Sequence, residues 1–138
     1  MIIIIKAGGI VYKMINKEIY LLLIGVKDSD EQINFQFPKG KLEEKEELSD
    51  CAIREVYEET GKNCIIEEFL DQVEVIGKKK KQKIYYYIMK PMSESVFRPE
   101  KNIVSIKWVP LKSVETNRFL SEDLLNLVKK YFDENKSI

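Results

Sequence analysis

The sequence predicts a mixed α/β fold in which helices cover a mixed β-sheet. Apolar runs of strand length recur along the chain, and two amphipathic segments of helical length lie among them. Strand and helix signals are therefore interspersed, which favours a sheet with helices packed against it. No internal repeat or low-complexity linker interrupts this order, so residues 1–138 are expected to form a single domain.

The apolar runs predict the strands in chain order. "IIIIKAGGIVYK" and "EIYLLLIGV" predict a strand pair, and "INFQFP" predicts a short strand that ends at Pro38. A charged loop, "KGKLEEKEE", follows. Further along, "CIIEEFLDQVEVIG" predicts one or two strands. "IYYYIMK" and "IVSIKWVPL" predict one strand each, with a loop bracketed by Pro91 and Pro99 between them.

Two segments predict helices. The first runs from about Glu47 to Thr60, and Gly61 is positioned to end it. The second is the closing segment "SEDLLNLVKKYF", with Ser121 as its expected N-cap. These two helices supply the cover that the sheet requires.

Composition narrows the class of function. The chain has 23 basic and 23 acidic residues, so its net charge favours neither a nucleic-acid nor a membrane partner. No apolar stretch approaches the length of a membrane span. Cys51 and Cys64 fit reduced thiols in a cytoplasmic protein, expected as a monomer with a dimer as the alternative. The absence of histidine excludes imidazole catalysis, which leaves carboxylates, lysine, tyrosine or a metal held by oxygen.

The first helix turns acidic side chains toward its own apolar side. At about 100° per residue, Glu55 and Glu59 fall inside the arc that contains Cys51 and Val56, and Glu58 lies at its edge. Carboxylates crowded beside apolar side chains repel one another and lose hydration. A hard divalent cation such as Mg²⁺ removes this conflict, because it binds carboxylate oxygens and keeps positions for phosphate. The pattern therefore favours a metal site over a solvated acidic face.

The loop before this helix supports a metal and phosphate site. Gly40 has no Cβ, so its carbonyl can come close to a metal. Lys39 and Lys41 flank it and can neutralise phosphate oxygens. Arg54 can orient a carboxylate by a two-pronged hydrogen bond, and Glu46 is its expected partner.

This spacing resembles the signature of the Nudix hydrolases, Gx5Ex7REUxEExGU. The resemblance implies an αβα sandwich that hydrolyses a nucleoside diphosphate linked to another moiety. It also implies that the three glutamates of the helix and the Gly40 carbonyl bind Mg²⁺ or Mn²⁺, with one carboxylate, Glu55 in some members, as the base. Lys62 stands where the signature has its last aliphatic residue. The matching residues are Gly40, Glu46, Arg54, Glu55, Glu58, Glu59 and Gly61.

Outside the signature, the order of segments resembles the asymmetric diadenosine tetraphosphate hydrolases, which makes that dinucleotide the expected substrate. In that group a strand tyrosine stacks on adenine and nearby lysines hold the phosphate chain. Tyr86 matches the tyrosine, with Lys81 and Lys83 beside it. The alternatives are a packed strand tyrosine and, for the lysine run at residues 78–81, a solvated hairpin or an RNA-backbone contact.

One departure concerns a further catalytic glutamate. Many family members carry it six residues before the aromatic of the "IKWVPL" strand, where this chain has Asn102. Glu100, two residues earlier, is the candidate replacement. Otherwise the role falls to Glu55.

The signature leaves other activities open. "FPKGKLEEKEELSDCAIREVYEETG" also resembles the messenger-RNA decapping enzyme, so removal of pyrophosphate from an RNA 5′ end is an alternative. Cleansing of oxidised nucleoside triphosphates is another within the same chemistry. A module that binds a nucleotide without catalysis belongs to a different class, and the intact set of carboxylates argues against it.

Overall fold

The computed structural model describes residues 1–94 and 102–135. The two described α-helices, Leu48–Thr60 and Glu122–Asn135, lack the length and apolar character that crossing a membrane requires. A short 3₁₀ helix, Leu111–Ser113, precedes the second of them. The elements are β1 (Ile2–Ile15), β2 (Glu18–Lys27), β3 (Ile33–Gln36), β4 (Lys39–Lys41), α1 (Leu48–Thr60), β5 (Lys62–Ile76), β6 (Lys80–Glu94), β7 (Ile103–Pro110) and α2 (Glu122–Asn135).

The sheet is organised around β1, which has strands paired on both of its edges. On one edge β6 runs parallel to it, from Ile2 to Val11. On the other edge β4 and then β2 pair with it antiparallel. The strand order is β3-β2-β1-β6-β5, with β7 also paired to β2. One parallel pair among antiparallel pairs makes the sheet mixed, as the sequence predicted.

Each face of the sheet carries one helix. Successive side chains of a strand point to opposite faces, so Ile10 and Val11 of β1 face opposite layers. Ile10 belongs to the core cluster that holds Tyr86 and the apolar side of α2, and we call this side the α2 face. Val11 packs with Met89 and with Val56 of α1, and we call this side the α1 face. The predicted αβα sandwich is confirmed.

The helix ends follow the predicted signals. Gly61 ends α1 in the left-handed region, at φ 75°, and its N–H donates to the Tyr57 carbonyl at 2.8 Å. The N–H of Leu124 donates to Ser121 Oγ at 3.2 Å, so Ser121 caps α2 as expected.

Two segments differ from the sequence-based expectations, and a third settles an alternative that the sequence left open. Lys39–Lys41, expected in a charged loop, forms the short strand β4, because β1 offers an unpaired edge there. The segment expected to be one or two strands is the single strand β5, which accommodates register shifts against β6. Finally, β6 continues past Pro91 to Glu94, where a loop was expected.

Candidate active site

The pairing of β4 with β1 places the loop glycine against the acidic side of α1. The N–H of Lys39 donates to Glu59 Oε1 at 2.9 Å, and Glu59 is 9% exposed. A Cβ built on Gly40 would overlap the Glu55 carboxylate. The glycine is therefore required to make room for Glu55, in addition to the close approach of its carbonyl that the sequence suggested.

Arg54 is the centre of a network of ion pairs. Its Nε donates to Glu46 Oε2 at 2.7 Å and its Nη2 to Glu46 Oε1 at 3.0 Å, which is the two-pronged geometry predicted for this pair. Its Nη1 donates to Glu55 Oε1 at 2.8 Å and to Glu58 Oε2 at 2.9 Å. Nη2 also donates to the Lys41 carbonyl at 3.0 Å, which ties β4 to the helix. One cation thus positions two of the three carboxylates predicted to bind metal.

The network shifts the pKa of its members in the directions that strong pairing requires. Hydrogen bonds from Arg54 lower the pKa of Glu46 to about 2, against the opposing effect of burial. Hydrogen bonds to Glu46, and after them those to Glu58 and Glu55, raise the pKa of Arg54 above its ordinary value. Both groups therefore stay charged at neutral pH.

The chemistry of the donor set fits a hard divalent cation. Carboxylate oxygens and a backbone carbonyl are the ligands that Mg²⁺ and Mn²⁺ prefer. The space beside Gly40 already accommodates the Glu55 carboxylate. Within residues 1–94 and 102–135, no three side chains of acidic residues or cysteines converge as metal ligands. Glu55 and Glu58 would exchange their bonds to Arg54 for bonds to the metal.

Lysines border the carboxylates, and one of them was missed by the sequence-based reasoning. Burial lowers the pKa of Lys39 to about 8, with the nearby Lys6 charge adding to the effect. The pKa of Lys6 is lowered as well, by burial and then by the charges of Lys41 and Lys80. A phosphate would relieve the repulsion among these cations. Lys6 could not be identified from the sequence, because its place depends on the pairing of β1 with β4 and β6.

A cavity of about 320 Å³ lies on the α2 face and reaches this site at Lys39. Its size is at the lower end of the range for small-molecule pockets. The apolar part of its lining comes from Val26, Val75, Ile84 and Phe119, and the polar part from Lys6, Asp28, Asn34, Gln36, Lys39, Gln82 and Arg118.

Tyr86 does not occupy the predicted stacking position. It shares a face with Ile84 and Ile88, as its alternation predicted, but that face is covered by α2 and Tyr86 is 2% exposed. Its ring packs against Phe37 with centroids 6.1 Å apart. A ring with no exposed face cannot stack on adenine, so the prediction is wrong for this residue and its alternative, a packed strand tyrosine, holds.

The two lysines predicted beside Tyr86 lie on the other side of the sheet. Lys81 and Lys83 alternate with their neighbours along β6 in step with Tyr85, so all three side chains point to the same face of the sheet. Tyr85 packs with the α1 layer, whereas Gln82 lines the cavity on the α2 face. Lys81 Nζ also pairs with Glu74 Oε1 at 2.9 Å. Neither lysine lines the cavity, because the two-residue period of the strand directs them away from it.

The predicted role of Glu100 cannot be placed, since Glu100 lies outside the described residues. Asn102, at the position where relatives carry glutamate, begins the described segment, and its carbonyl accepts a hydrogen bond from the N–H of Lys27 at 2.8 Å.

Comparison with known proteins gives one family. A family model described as "NUDIX domain" matches residues 6–131. The mRNA decapping complex subunit 2 of Schizosaccharomyces pombe is 40% identical over 87 residues, which is 58% of this chain and 11% of that protein. The chain thus spans about a tenth of the length of this curated relative.

Solved structures share the fold along nearly the whole chain. A NUDIX hydrolase from Nitrosomonas europaea aligns with a TM-score of 0.79 at 16% identity, covering 95% of this chain and 89% of that one. A C. elegans Ap4A hydrolase, solved as a binary complex, aligns with a TM-score of 0.76 at 18% identity, covering 98% and 99%. At such identities the likeness establishes the fold alone.

Proposed function

This chain belongs to the Nudix family, and from that membership we propose that it hydrolyses diadenosine tetraphosphate to ATP and AMP with Mg²⁺ or Mn²⁺. The coarser activity follows from the family: the chain is a pyrophosphohydrolase of nucleoside diphosphate derivatives. The proposal that this chain hydrolyses a dinucleotide is supported by one observation in particular. The N–H of Lys39 bonds to Glu59, so the carboxylates of α1 and the lining of the cavity meet at one residue.

The carboxylates of α1 are the proposed metal ligands, together with the Gly40 carbonyl. Nudix enzymes generally use divalent metal ions, which when bound supply polarisation of the phosphoanhydride and acidify a water molecule for attack on phosphorus. Arg54 would hold Glu55 and Glu58 in place until they bind the metal. Among the residues that the structure describes, Glu55 is the one proposed to accept a proton from that water. It is 12% exposed and bonds to Arg54.

The lysines at the cavity are the proposed phosphate contacts. Lys39 and Lys6 line the cavity, and Lys41 lies opposite Lys6 in the antiparallel pairing of β4 with β1. Their mutual repulsion lowers the cost of binding an anion between them. The polyphosphate chain would extend from the carboxylates past Lys39, with one nucleoside entering the cavity.

A second candidate is removal of pyrophosphate from an RNA 5′ end. The observation in its favour is the 40% identity to a decapping subunit, within a segment that covers 58% of this chain. The lysine run at residues 78–81 would then contact the RNA backbone. Since the two candidate activities share their metal chemistry, they differ only in the group attached to the phosphates, which is a nucleoside in one substrate and an RNA chain in the other.

A cytoplasmic location is also part of the proposal. Cys51 and Cys64 are both buried free thiols, which is the state expected in a reducing compartment.

Product analysis by chromatography tests the two candidates together. The protein would be incubated with Mg²⁺ and diadenosine tetraphosphate, and in parallel with triphosphate-ended RNA and with an oxidised guanosine triphosphate. Glu59→Gln removes a proposed metal ligand, and Glu134→Gln makes the same change at an exposed position of α2.

ATP and AMP from the dinucleotide, absent with Glu59→Gln and retained with Glu134→Gln, would support the leading proposal. Pyrophosphate from RNA with an intact dinucleotide would overturn it in favour of the second candidate. Turnover of the oxidised triphosphate alone would identify a cleansing enzyme. Nucleotide binding without any turnover would identify a binding module and overturn the proposal entirely.

A further inference from the structure

The cavity on the α2 face has an exposed aromatic ring in its lining, and we propose that Phe119, with Arg118 beside it, stacks on the nucleobase of the substrate. Phe119 lines the cavity and is 38% exposed. The Arg118 guanidinium carbon lies 4.9 Å from the centroid of the Phe119 ring. Bases stack on aromatic rings and on guanidinium planes alike. Phe119 thus offers the aromatic surface that Tyr86, being buried, does not.

The backbone that carries Phe119 is fixed in place before any ligand binds. The N–H of Phe119 donates to Asn117 Oδ1 at 2.8 Å, and Asn117 Nδ2 donates to the Phe35 carbonyl at 2.8 Å. Leu120, the next residue, is fully buried and pairs with Asn117 through two backbone hydrogen bonds of 3.0 and 3.1 Å. A ring held in this way loses little freedom when a base stacks on it.

Two amides line the same cavity and can read the edge of a base. Asn34 Nδ2 donates to Asp28 Oδ2 at 3.2 Å, so its Oδ1 is available as an acceptor. Gln82 also lines the cavity, and in the part of the chain that the structure describes its amide makes no hydrogen bond. Together with the aliphatic Val75 and Ile84, these groups suit a planar heterocycle.

The position of the cavity relates this base site to the phosphate site. Its lining also includes Lys39, whose N–H bonds to Glu59. A nucleotide whose base stacks on Phe119 would therefore direct its phosphates toward the lysines and the acidic side of α1. The inference rests on the proposed function, because it assigns a residue to the nucleoside half of that substrate.

The test compares Phe119→Ala and Phe119→Tyr with a matched control, Phe69→Ala. Phe69 is 47% exposed and packs against Tyr85 and Tyr87, on the other side of the sheet from the cavity. Calorimetry without metal would measure binding of AMP and, as a probe without a base, of inorganic tripolyphosphate. Steady-state kinetics with Mg²⁺ would follow hydrolysis of diadenosine tetraphosphate.

Phe119→Ala should raise the Kd for AMP and the KM for the dinucleotide at least about fivefold, since a base–aromatic stack contributes that much to binding. It should leave kcat and tripolyphosphate binding within about twofold. Phe119→Tyr should restore AMP binding, and Phe69→Ala should match the wild type. Equal AMP affinity in wild type and Phe119→Ala would overturn the inference, as would equal weakening of AMP and tripolyphosphate.

These results separate the inference from the proposed function. If the wild type hydrolyses no nucleotide but loses AMP binding with Phe119→Ala, the base site stands and the activity does not. If the dinucleotide is hydrolysed equally well by Phe119→Ala, the activity stands and the base site is wrong.

Discussion

Replacement of Arg54 by glutamine should destabilise the protein, because several carboxylates depend on this one cation. The Glu46 and Glu55 side chains are only 15% and 12% exposed and both bond to Arg54. Removing one partner from a buried ion pair costs roughly 3–5 kcal/mol. Arg54 itself is 27% exposed and Glu58 is 40% exposed, so water would partly replace the lost bonds. We therefore expect Arg54→Gln to lower the free energy of unfolding by about 2–3 kcal/mol.

Urea unfolding at pH 7 in the presence of a chelator measures this change without a contribution from metal. Arg118→Gln, the same substitution at an exposed arginine, should stay within about 0.5 kcal/mol of the wild type. The double variant Arg54→Gln/Glu46→Gln should be little less stable than Arg54→Gln alone, because the carboxylate left without its partner is then neutral. A loss below about 0.5 kcal/mol for Arg54→Gln, or additive losses in the double variant, would refute the reasoning.

Three further predictions follow from the same site and core. Gly40→Ala should lower kcat about 100-fold by displacing the Glu55 carboxylate. The control Gly77→Ala, in a hairpin, should leave kcat unchanged. Equal kcat values for Gly40→Ala and the wild type would exclude the steric requirement. The pKa of Glu46 lies near 2, below its ordinary 4.5, so its stabilisation is complete above pH 4.5 and fades toward pH 2. Acid unfolding should show the difference between wild type and Glu46→Gln shrinking in that window, and a constant difference would contradict it. Tyr86→Leu, which removes the aromatic ring, should leave the KM for adenine nucleotides unchanged in steady-state assays, and an increase of about tenfold would restore Tyr86 as a base contact.

The spacing of Glu55, Glu58 and Glu59 along α1 was predictable from the sequence because it is local. Residues three and four apart on a helix are neighbours whatever surrounds them. For the same reason the Arg54–Glu46 pair, the Gly61 helix end and the Ser121 cap were all identified correctly. These features depend on chain segments of a few turns at most.

The proposed base and phosphate contacts were not predictable in the same way. The sequence indicated Lys81, Lys83 and Tyr86 by their closeness along one strand, yet the two-residue period sends the lysines to one face and the tyrosine to the other. Which part of the α2 face stays open to ligand was decided by the core, which buries Tyr86 with α2 and leaves the cavity beside Gln82 open. A loop aromatic beside an arginine, as at Phe119, was the available signal for the alternative.

The sequence by itself determined the fold class, the two helices and the set of charged groups that points to phosphoanhydride chemistry, since each depends on local period, capping and spacing. Only the tertiary structure decided which lysines meet the carboxylates and which aromatic ring reaches the cavity. Lys6 comes to the site through the pairing of β1 with β4, and Phe119 through the turn that Asn117 fixes to Phe35. Both contacts join segments far apart in the chain, so they depend on strand pairing and on which side chains the core buries.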